Sequence, residues 1–513
     1  MKTKRNLINC FISIALLSMI MIVSSCKKDN NDNNDNPDKF PTTPEQIAEA
    51  VENTNLIADV GADRIEEAIS SAYYSDEVVN PNEIVEQILL IEGVESAEAT
   101  STGNGIVIKQ DDGTFSNLLI VTEDDERLFI DVDTKSTMPD FKSTFIVKEN
   151  PVIPNGSGKA IILVPFQQSQ NTNINQISNL LESAGYSVDT YADENADLTK
   201  FRGDFLNNYD VVFIRTHGAA NLKTRGGDIS TLLLTGEEYT SSATELLSED
   251  EQKAIATGGH DGKTFFAISV PWLATTTNNN FTNSWIYASA CESAMVDAGS
   301  SSLSESFLNL GSVGYNGFDA SINTSLATSI AEKMVARFTS GLSFNNASDE
   351  VRSDWGLLAK AWLMRVVADD SDDIYINVGL FDNNKNISDP FYLIDPEEIV
   401  GFAKVIPDAG PVDTEVIFEV TINEKFISQV ASIEFDIDNT GEHFTMSKIN
   451  TNTWQRDGLS APTADSYPRI DTFTFSAFDS DGNLIGQGSA TFSILEESSK
   501  KSVRIKKSNY YAQ

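Results

Sequence analysis

A mixed α/β chain is the fold class that these 513 residues predict: a layered sheet domain, a smaller α+β segment before it and an all-β segment after it. Three observations carry that expectation. Between residues 155 and 400, continuous apolar runs such as Ala160-Ile161-Ile162-Leu163-Val164 alternate with stretches of helical periodicity, as strands buried on both faces do. Past Gly401 the helical pattern stops and short alternating segments take over. Hydrophobic residues supply 40% of the chain and Phe occupies 28 positions, enough for sizeable cores and too many for a mainly disordered protein.

Composition also excludes several function classes. Lys and Arg number 36 against 76 Asp and Glu, a net charge of −40. Nucleic-acid binding needs a basic footprint, and an anionic membrane surface would repel this chain. Three cysteines (Cys10, Cys26, Cys291) and three histidines (His217, His260, His443) rule out a disulfide scaffold, a Cys-rich zinc site and a His-rich metal centre.

The first residues set the compartment. Met1-Lys2-Thr3-Lys4-Arg5 is a basic leader and Leu7 to Val23 an apolar run too short for a comfortable span. Val23-Ser24-Ser25-Cys26 resembles the bacterial lipobox, in which the Cys becomes the acylated first residue. Residues 1–25 are therefore expected to be a lipoprotein signal peptide and Cys26 the lipidation site. Residues 26–41, rich in Asn and Asp, cannot bury apolar area and form a flexible acidic tether. This implies a bacterial cell-envelope protein, lipid-anchored to the outer membrane. The acidic stretch after Cys26 resembles the tag that sends some lipoproteins to the cell surface.

Residues 42–148 read as a small α+β domain. Thr43-Pro44-Glu45-Gln46 is a capping-box pattern with Pro at the first helical position. Asn82 to Leu90 is a second helix, and Gly105 to Ile108 and Leu118 to Val121 flank the hairpin signal Asp112-Gly113. No catalytic constellation occurs there, and its place ahead of the next domain suggests a prosegment. From 155 to 400 the expected strands are Ala160–Val164, Tyr186–Tyr191, Val211–Ile214, Trp285–Ala288, Ser312–Tyr315 and Ile374–Leu380. Helices are expected around Ile174–Ala184, Leu198–Leu206, Leu303–Leu308, Leu326–Phe338 and Trp355–Val366.

Residues 401–495 carry Val416–Val420, Ser432–Phe435, Thr472–Phe475 and Ala490–Ser493, separated by turns such as Asp438-Asn439-Thr440-Gly441 and Asp479-Ser480-Asp481-Gly482. That spacing suggests an immunoglobulin-like β-sandwich. The Asp-rich turns keep Ca²⁺ as a candidate ion, although turn chemistry alone accounts for them. No cofactor is required by the chemistry below. Residues 496–513 are a basic, solvated tail.

Cysteine arithmetic gives the sharpest functional clue. Cys10 leaves with the signal and Cys26 is consumed by lipid, so Cys291 is the one free thiol in an oxidising compartment. It follows the strand Trp285–Ala288, and His217 follows Val211–Ile214. Both stand at carboxyl ends of strands, where open α/β sheets place their sites. An imidazole beside a thiol promotes the thiolate and can later protonate a leaving amine. Backbone N–H groups at Gly218 and Cys291 suit an oxyanion hole.

A strand ending in His217-Gly218, followed downstream by a strand ending in Ala290-Cys291, resembles the signature of the caspase-like cysteine peptidases, among them clostripain, gingipains and legumain. Ala290-Cys291-Glu292-Ser293 is similar to legumain, and the lipoprotein context to the clostripain-like and gingipain-like bacterial enzymes. The resemblance covers residues from about 155 to 385. It implies a caspase-like three-layer α/β/α domain, with Cys291 as nucleophile, His217 as general acid/base and Gly218 as an oxyanion donor. The spacing of the pair predicts an insertion over Thr231–Thr282, a hairpin or flap near the cleft. Clostripain-like enzymes carry an acid near the nucleophile that selects basic side chains; here Ser289 stands two residues before Cys291, and Glu292, Asp228 and Asp319 are the remaining specificity candidates. His260, in Gly258-Gly259-His260-Asp261-Gly262, reads as a turn residue, and His443 as structural. Trp272 suits the cleft or the core equally.

The expected activity is peptide-bond hydrolysis by a cysteine endopeptidase acting on peptide or protein substrates through a thioester acyl-enzyme. The competing expectation is a catalytically inactive surface lipoprotein of the same fold that binds protein or glycan.

Overall fold

The computed structural model describes residues 40–75, 80–120, 143–147, 157–167, 174–278, 280–281, 284–295, 301–318, 322, 324–344, 346–348, 351, 393, 399–407, 409–438, 440–460 and 469–495. Helix α1 (Pro44–Ser75) starts with the reciprocal cap its sequence predicts: Gln46 N–H donates to Thr43 Oγ1 at 3.3 Å and Thr43 N–H to Gln46 Oε1 at 3.2 Å. Helix α2 (Pro81–Ile88) is capped by the Asn80 side chain. Three strands follow, β1 (Val94–Ala99), β2 (Gly105–Gln110) and β3 (Phe115–Leu119), joined as an antiparallel meander. Then come β4 (Ser143–Val147), β5 (Lys159–Val164), helix α3 (Ile174–Ser183), β6 (Ser187–Ala192) and β7 (Val211–Arg215). The single helix expected over 198–206 is two short turns, a 3₁₀ turn at Leu198–Phe201 and an α-turn at Gly203–Leu206.

Between the two candidate catalytic residues lie β8 (Gly218–Lys223), β9 (Ile229–Glu238), β10 (Ala256–His260), β11 (Lys263–Ile268) and helix α4 (Val270–Thr276). Strand β12 (Trp285–Ser289), helix α5 (Leu303–Asn309), β13 (Gly314–Asn316) and helix α6 (Thr324–Thr339) complete this part. The helix and strand expected over 355–366 and 374–380 lie outside the described residues.

The result is a mixed α/β chain with several sheets. Strands β6, β5, β7, β12 and β13 form a five-stranded sheet in that order, every neighbour parallel. Ile161 to Val164 and Val211 to Ile214 are fully buried, because both faces are covered. Ile162, Val164, Phe213 and Trp285 pack with α3 and α6 on one face. Ile161, Leu163, Ile214 and Ile286 pack with α4 and α5 on the other. This is why the strands read as continuous apolar runs instead of alternating ones. Each fully buried Ile or Leu contributes about 1.5–3 kcal/mol. Trp272 belongs to the core: it is fully buried and its Nε1–H donates to Phe201 O at 3.0 Å.

The residues between His217 and Cys291 build a second sheet, and the amino-terminal strands join it. Its order is β1-β2-β3-β10-β11-β9-β8, with β3 and β10 parallel at Gly258↔Asn117. Asn117 also reaches across to β8, donating to Lys223 O at 2.8 Å and accepting from Lys223 N–H at 3.0 Å. The segment 42–148 therefore does not close on itself.

From residue 399 the chain is all β: β14 (Ile399–Ile406), β15 (Ala409–Pro411), β16 (Glu415–Ile422), β17 (Ser432–Ile437), β18 (Glu442–Thr445), β19 (Ser447–Lys448), β20 (Thr453–Ser460), β21 (Arg469–Phe478) and β22 (Leu484–Leu495). Their alternation of buried and half-buried residues, clear in β16, points one face at a core that includes Phe418, Phe435 and Phe473. The Phe418 and Phe435 rings stack at 4.6 Å. Strand β4 sits between β22 and β14, antiparallel to both. The Asp479 carboxylate is engaged in its own turn by the N–H groups of Asp481 and Asn483. His443 lies exposed on β18 between Asp436 and Glu434.

Candidate active site

The two candidate catalytic residues are set by strand register. Strands β7 and β12 are adjacent and parallel, with Arg215 opposite Ser289 as the last pair. His217 and Cys291 each follow two residues later, so both leave the sheet from one level at its carboxyl edge. Thr216 N–H donates to Ser289 O at 3.3 Å and carries the pairing one step further. A Cβ built on Gly218 would lie 2.8 Å from Cys291 O. The His217-Gly218 backbone thus packs directly on the Cys291 carbonyl, and only glycine allows that approach.

Residues 291–294 form the turn that presents the thiol. Ser293 pins it: its Oγ donates to Ala288 O at 2.7 Å and accepts Phe318 N–H at 3.1 Å, and its carbonyl accepts Tyr315 O–H at 2.7 Å. Gly317 lets β13 exit past this turn, since a Cβ there would meet Ser293 Oγ at 2.6 Å. Cys291 is half-buried; its Sγ accepts the Ile322 N–H at 3.4 Å and its S–H donates to Ile322 O at 3.8 Å.

His217 is half-buried, and its Nε2 is shielded and makes no hydrogen bond. Its ring centroid is 5.0 Å from Phe166 and 4.3 Å from His260. Burial, followed by the neighbouring His260 and Arg215, holds the imidazole well below its ordinary pKa. It is therefore neutral, a proton acceptor, near neutral pH.

His260, expected in a turn, stands instead at the end of a strand and beside His217. It is the last residue of β10 and 8% exposed, with Nε2 3.3 Å from Asp261 Oδ2. The turn itself is Asp261-Gly262, both at positive φ (50° and 72°). Asp-Gly between two pairing segments is a type I′ hairpin signal, so the available clue was the dipeptide after the histidine.

Beneath the pair, Arg215 is 3% exposed and its Nη1 donates to Ser289 O at 3.1 Å and Ser289 Oγ at 3.3 Å. The position where a clostripain-like enzyme would carry an acid is thus a buried Ser facing a guanidinium. Tyr287 O–H and Asn316 Nδ2 are buried and make no hydrogen bond. Both residues line a small cavity with Phe318, Ile330 and Met334.

Two of the three specificity candidates, Glu292 and Asp228, are among the described residues. Both oxygens of Glu292 are engaged by protein donors, Ala220 N–H at 2.7 Å and Asn104 Nδ2. Asp228 is exposed in the turn between β8 and β9, its N–H bonded to Thr224 Oγ1 at 3.1 Å. It lies at the far end of β8, about 17 Å along the strand from Gly218. Asp319 and Cys26 lie outside the described residues. Among the described residues no group of three or more His, Cys, Asp or Glu is arranged to hold a metal ion.

Compared with known proteins, the chain matches no family model and no curated protein.

Proposed function

We propose that this chain is a cysteine endopeptidase of the caspase-like superfamily, anchored by lipid at Cys26 to the outer membrane of a bacterial envelope. One observation carries the reading: His217 and Cys291 stand two residues past the Arg215↔Ser289 pair on adjacent parallel strands, with Gly218 packed on Cys291 O. The order of the parallel sheet supports a caspase-like three-layer domain, and the face-to-face aromatic core of the β segment supports an immunoglobulin-like sandwich.

The chemistry follows from the states of the two side chains. Neutral His217 accepts the thiol proton, and the Cys291 thiolate attacks the scissile carbonyl carbon. The carbon–sulfur bond forms as the carbonyl oxygen takes the negative charge, toward the N–H groups of Gly218 and Cys291. The carbon–nitrogen bond breaks as the imidazolium protonates the leaving amine. Water, deprotonated by His217, then cleaves the thioester, and the proton returns to sulfur. No metal or redox partner enters these steps.

The non-catalytic binding reading is favoured by one observation: His217 Nε2 makes no hydrogen bond while Ile322 holds the Cys291 sulfur. Incubating the mature chain and a Cys291→Ala control with a diverse peptide library and a thiol-directed peptide probe separates the two. Cleavage and labelling that vanish in the control are expected. Labelling without cleavage of any peptide would favour the binding protein.

A further inference from the structure

The residue after the nucleophile ties three parts of the chain together. Glu292 has a φ of 54°, a left-handed backbone that a Glu side chain disfavours. It is 1% exposed. Such strain persists where the surroundings over-determine it, and here they do. Glu292 Oε2 accepts the N–H of Ala220, three residues after His217 on β8, at 2.7 Å. Its Oε1 accepts Nδ2 of Asn104, whose own N–H is held by Thr102 Oγ1 at 3.4 Å. Thr102 and Asn104 belong to the turn between β1 and β2, which is closed by Thr100 N–H to Gly105 O at 2.8 Å and Gly105 N–H to Thr100 Oγ1 at 3.2 Å.

We infer that Glu292 is a positioning residue for the Cys291–His217 pair, and that the Thr100–Gly105 turn supports the nucleophile through it. The assignment rests on the peptidase reading above. Cys291 and Glu292 share a planar peptide unit, so holding the Glu292 side chain and its left-handed φ fixes the plane from which the Cys291 side chain projects. The Gly218 contact sets how close the two segments come, and the Ala220 bond sets where along β8 the turn sits. Burial raises the Glu292 pKa while the Ala220 and Asn104 donors oppose that shift; in its ionised form the carboxylate accepts on both oxygens. A Gln amide would turn an N–H toward one of the two donors. The amino-terminal strands thereby take a supporting role in place of an inhibitory one, and Glu292 leaves the set of substrate-reading residues.

The test uses the full mature chain with Glu292→Gln, Asn104→Ala and the double variant. Cys291 alkylation by iodoacetamide is followed across the pH range of thiol titration, alongside steady-state cleavage of the best peptide and a melting curve. Glu292→Gln is expected to lower kcat by about 10²-fold with KM little changed and to shift the alkylation profile. Asn104→Ala should shift it the same way by less, and the double variant should fall short of the sum of the two. Alkylation profiles of both single variants that superimpose on wild type, with native melting, would overturn the inference. If Glu292→Gln does not fold, Asn104→Ala, which removes one bond to the same carboxylate, decides by the same profile. A wild-type chain that cleaves no peptide, while its alkylation profile moves in both variants, sinks the peptidase reading and upholds the positioning role.

Discussion

The imidazole rings of His217 and His260 lie with centroids 4.3 Å apart and planes tilted by 43°, closed over by Phe166, which is 5.2 Å from His260. Two protonated imidazoles so close would repel each other, and burial already disfavours charge on His217. A lowered pKa keeps His217 neutral to lower pH, so its capacity to take the thiol proton extends below 6.5, the ordinary value. The acid limb of kcat/KM is expected to fall below pH 6.5. His260→Phe removes one depressing neighbour and leaves burial in force, so the limb should move up but stop short of 6.5. The pH–rate profiles of the two proteins check this; a wild-type limb at or above 6.5 would refute it.

Gly218→Ala should damage both stability and reactivity. The added methyl meets Cys291 O at 2.8 Å, Leu233 Cδ2 at 2.9 Å and Leu232 O at 3.0 Å. Two of these are backbone oxygens from different segments, so no rotamer change relieves the contact. Overpacking of this kind costs about 1–3 kcal/mol, or a melting shift of about 2–4 °C per kcal/mol for a domain of this size. Thermal melting and the rate of Cys291 alkylation measure the two effects. An unchanged alkylation rate would show that the turn at Cys291 does not depend on the approach at Gly218.

Tyr287→Phe should leave the protein as stable or more so, by up to about 1 kcal/mol. The hydroxyl is buried and has no hydrogen-bond partner, and a buried polar group left unpaired costs about 1–3 kcal/mol. Chemical denaturation of the two proteins decides. A clear loss would mean that the hydroxyl binds water in the cavity it shares with Asn316.

Legibility in the sequence followed how local each signal was. Val211–Ile214 and Trp285–Ala288 were readable as strands because burial on both faces writes itself as an unbroken apolar run. His217 and Cys291 stood out because each ends such a run. The partnership of β3 with β10 was not readable: Asn117 and Gly258 are far apart in the chain, and neither flanking pattern specifies the other. Glu292 looked like a free acid beside the nucleophile because its partner, Asn104, lies 188 positions away. His260 was hidden by its flanking glycines. Gly258 and Gly259 suggest a loop, but a Cβ at either would run into Leu118, Leu119 or Leu234; they are small to admit the side chains of neighbouring strands.

Strand β4 has a consequence for how the molecule comes into being. Ile146 pairs with Ile399, and Gln487 pairs with Ile146 from the other side. The first partner of β4 comes roughly 250 positions later in the chain, so β4 must wait for residues from 399 onward. Until then it is a strand with both edges open, the condition in which chains pair with the wrong neighbour. A polypeptide cut short before residue 399 would keep His217 and Cys291 yet carry that open strand permanently. The carboxy-terminal β segment is thus a late-arriving clamp on the early part of the chain, and a truncated product is a candidate for aggregation before it is a candidate for activity.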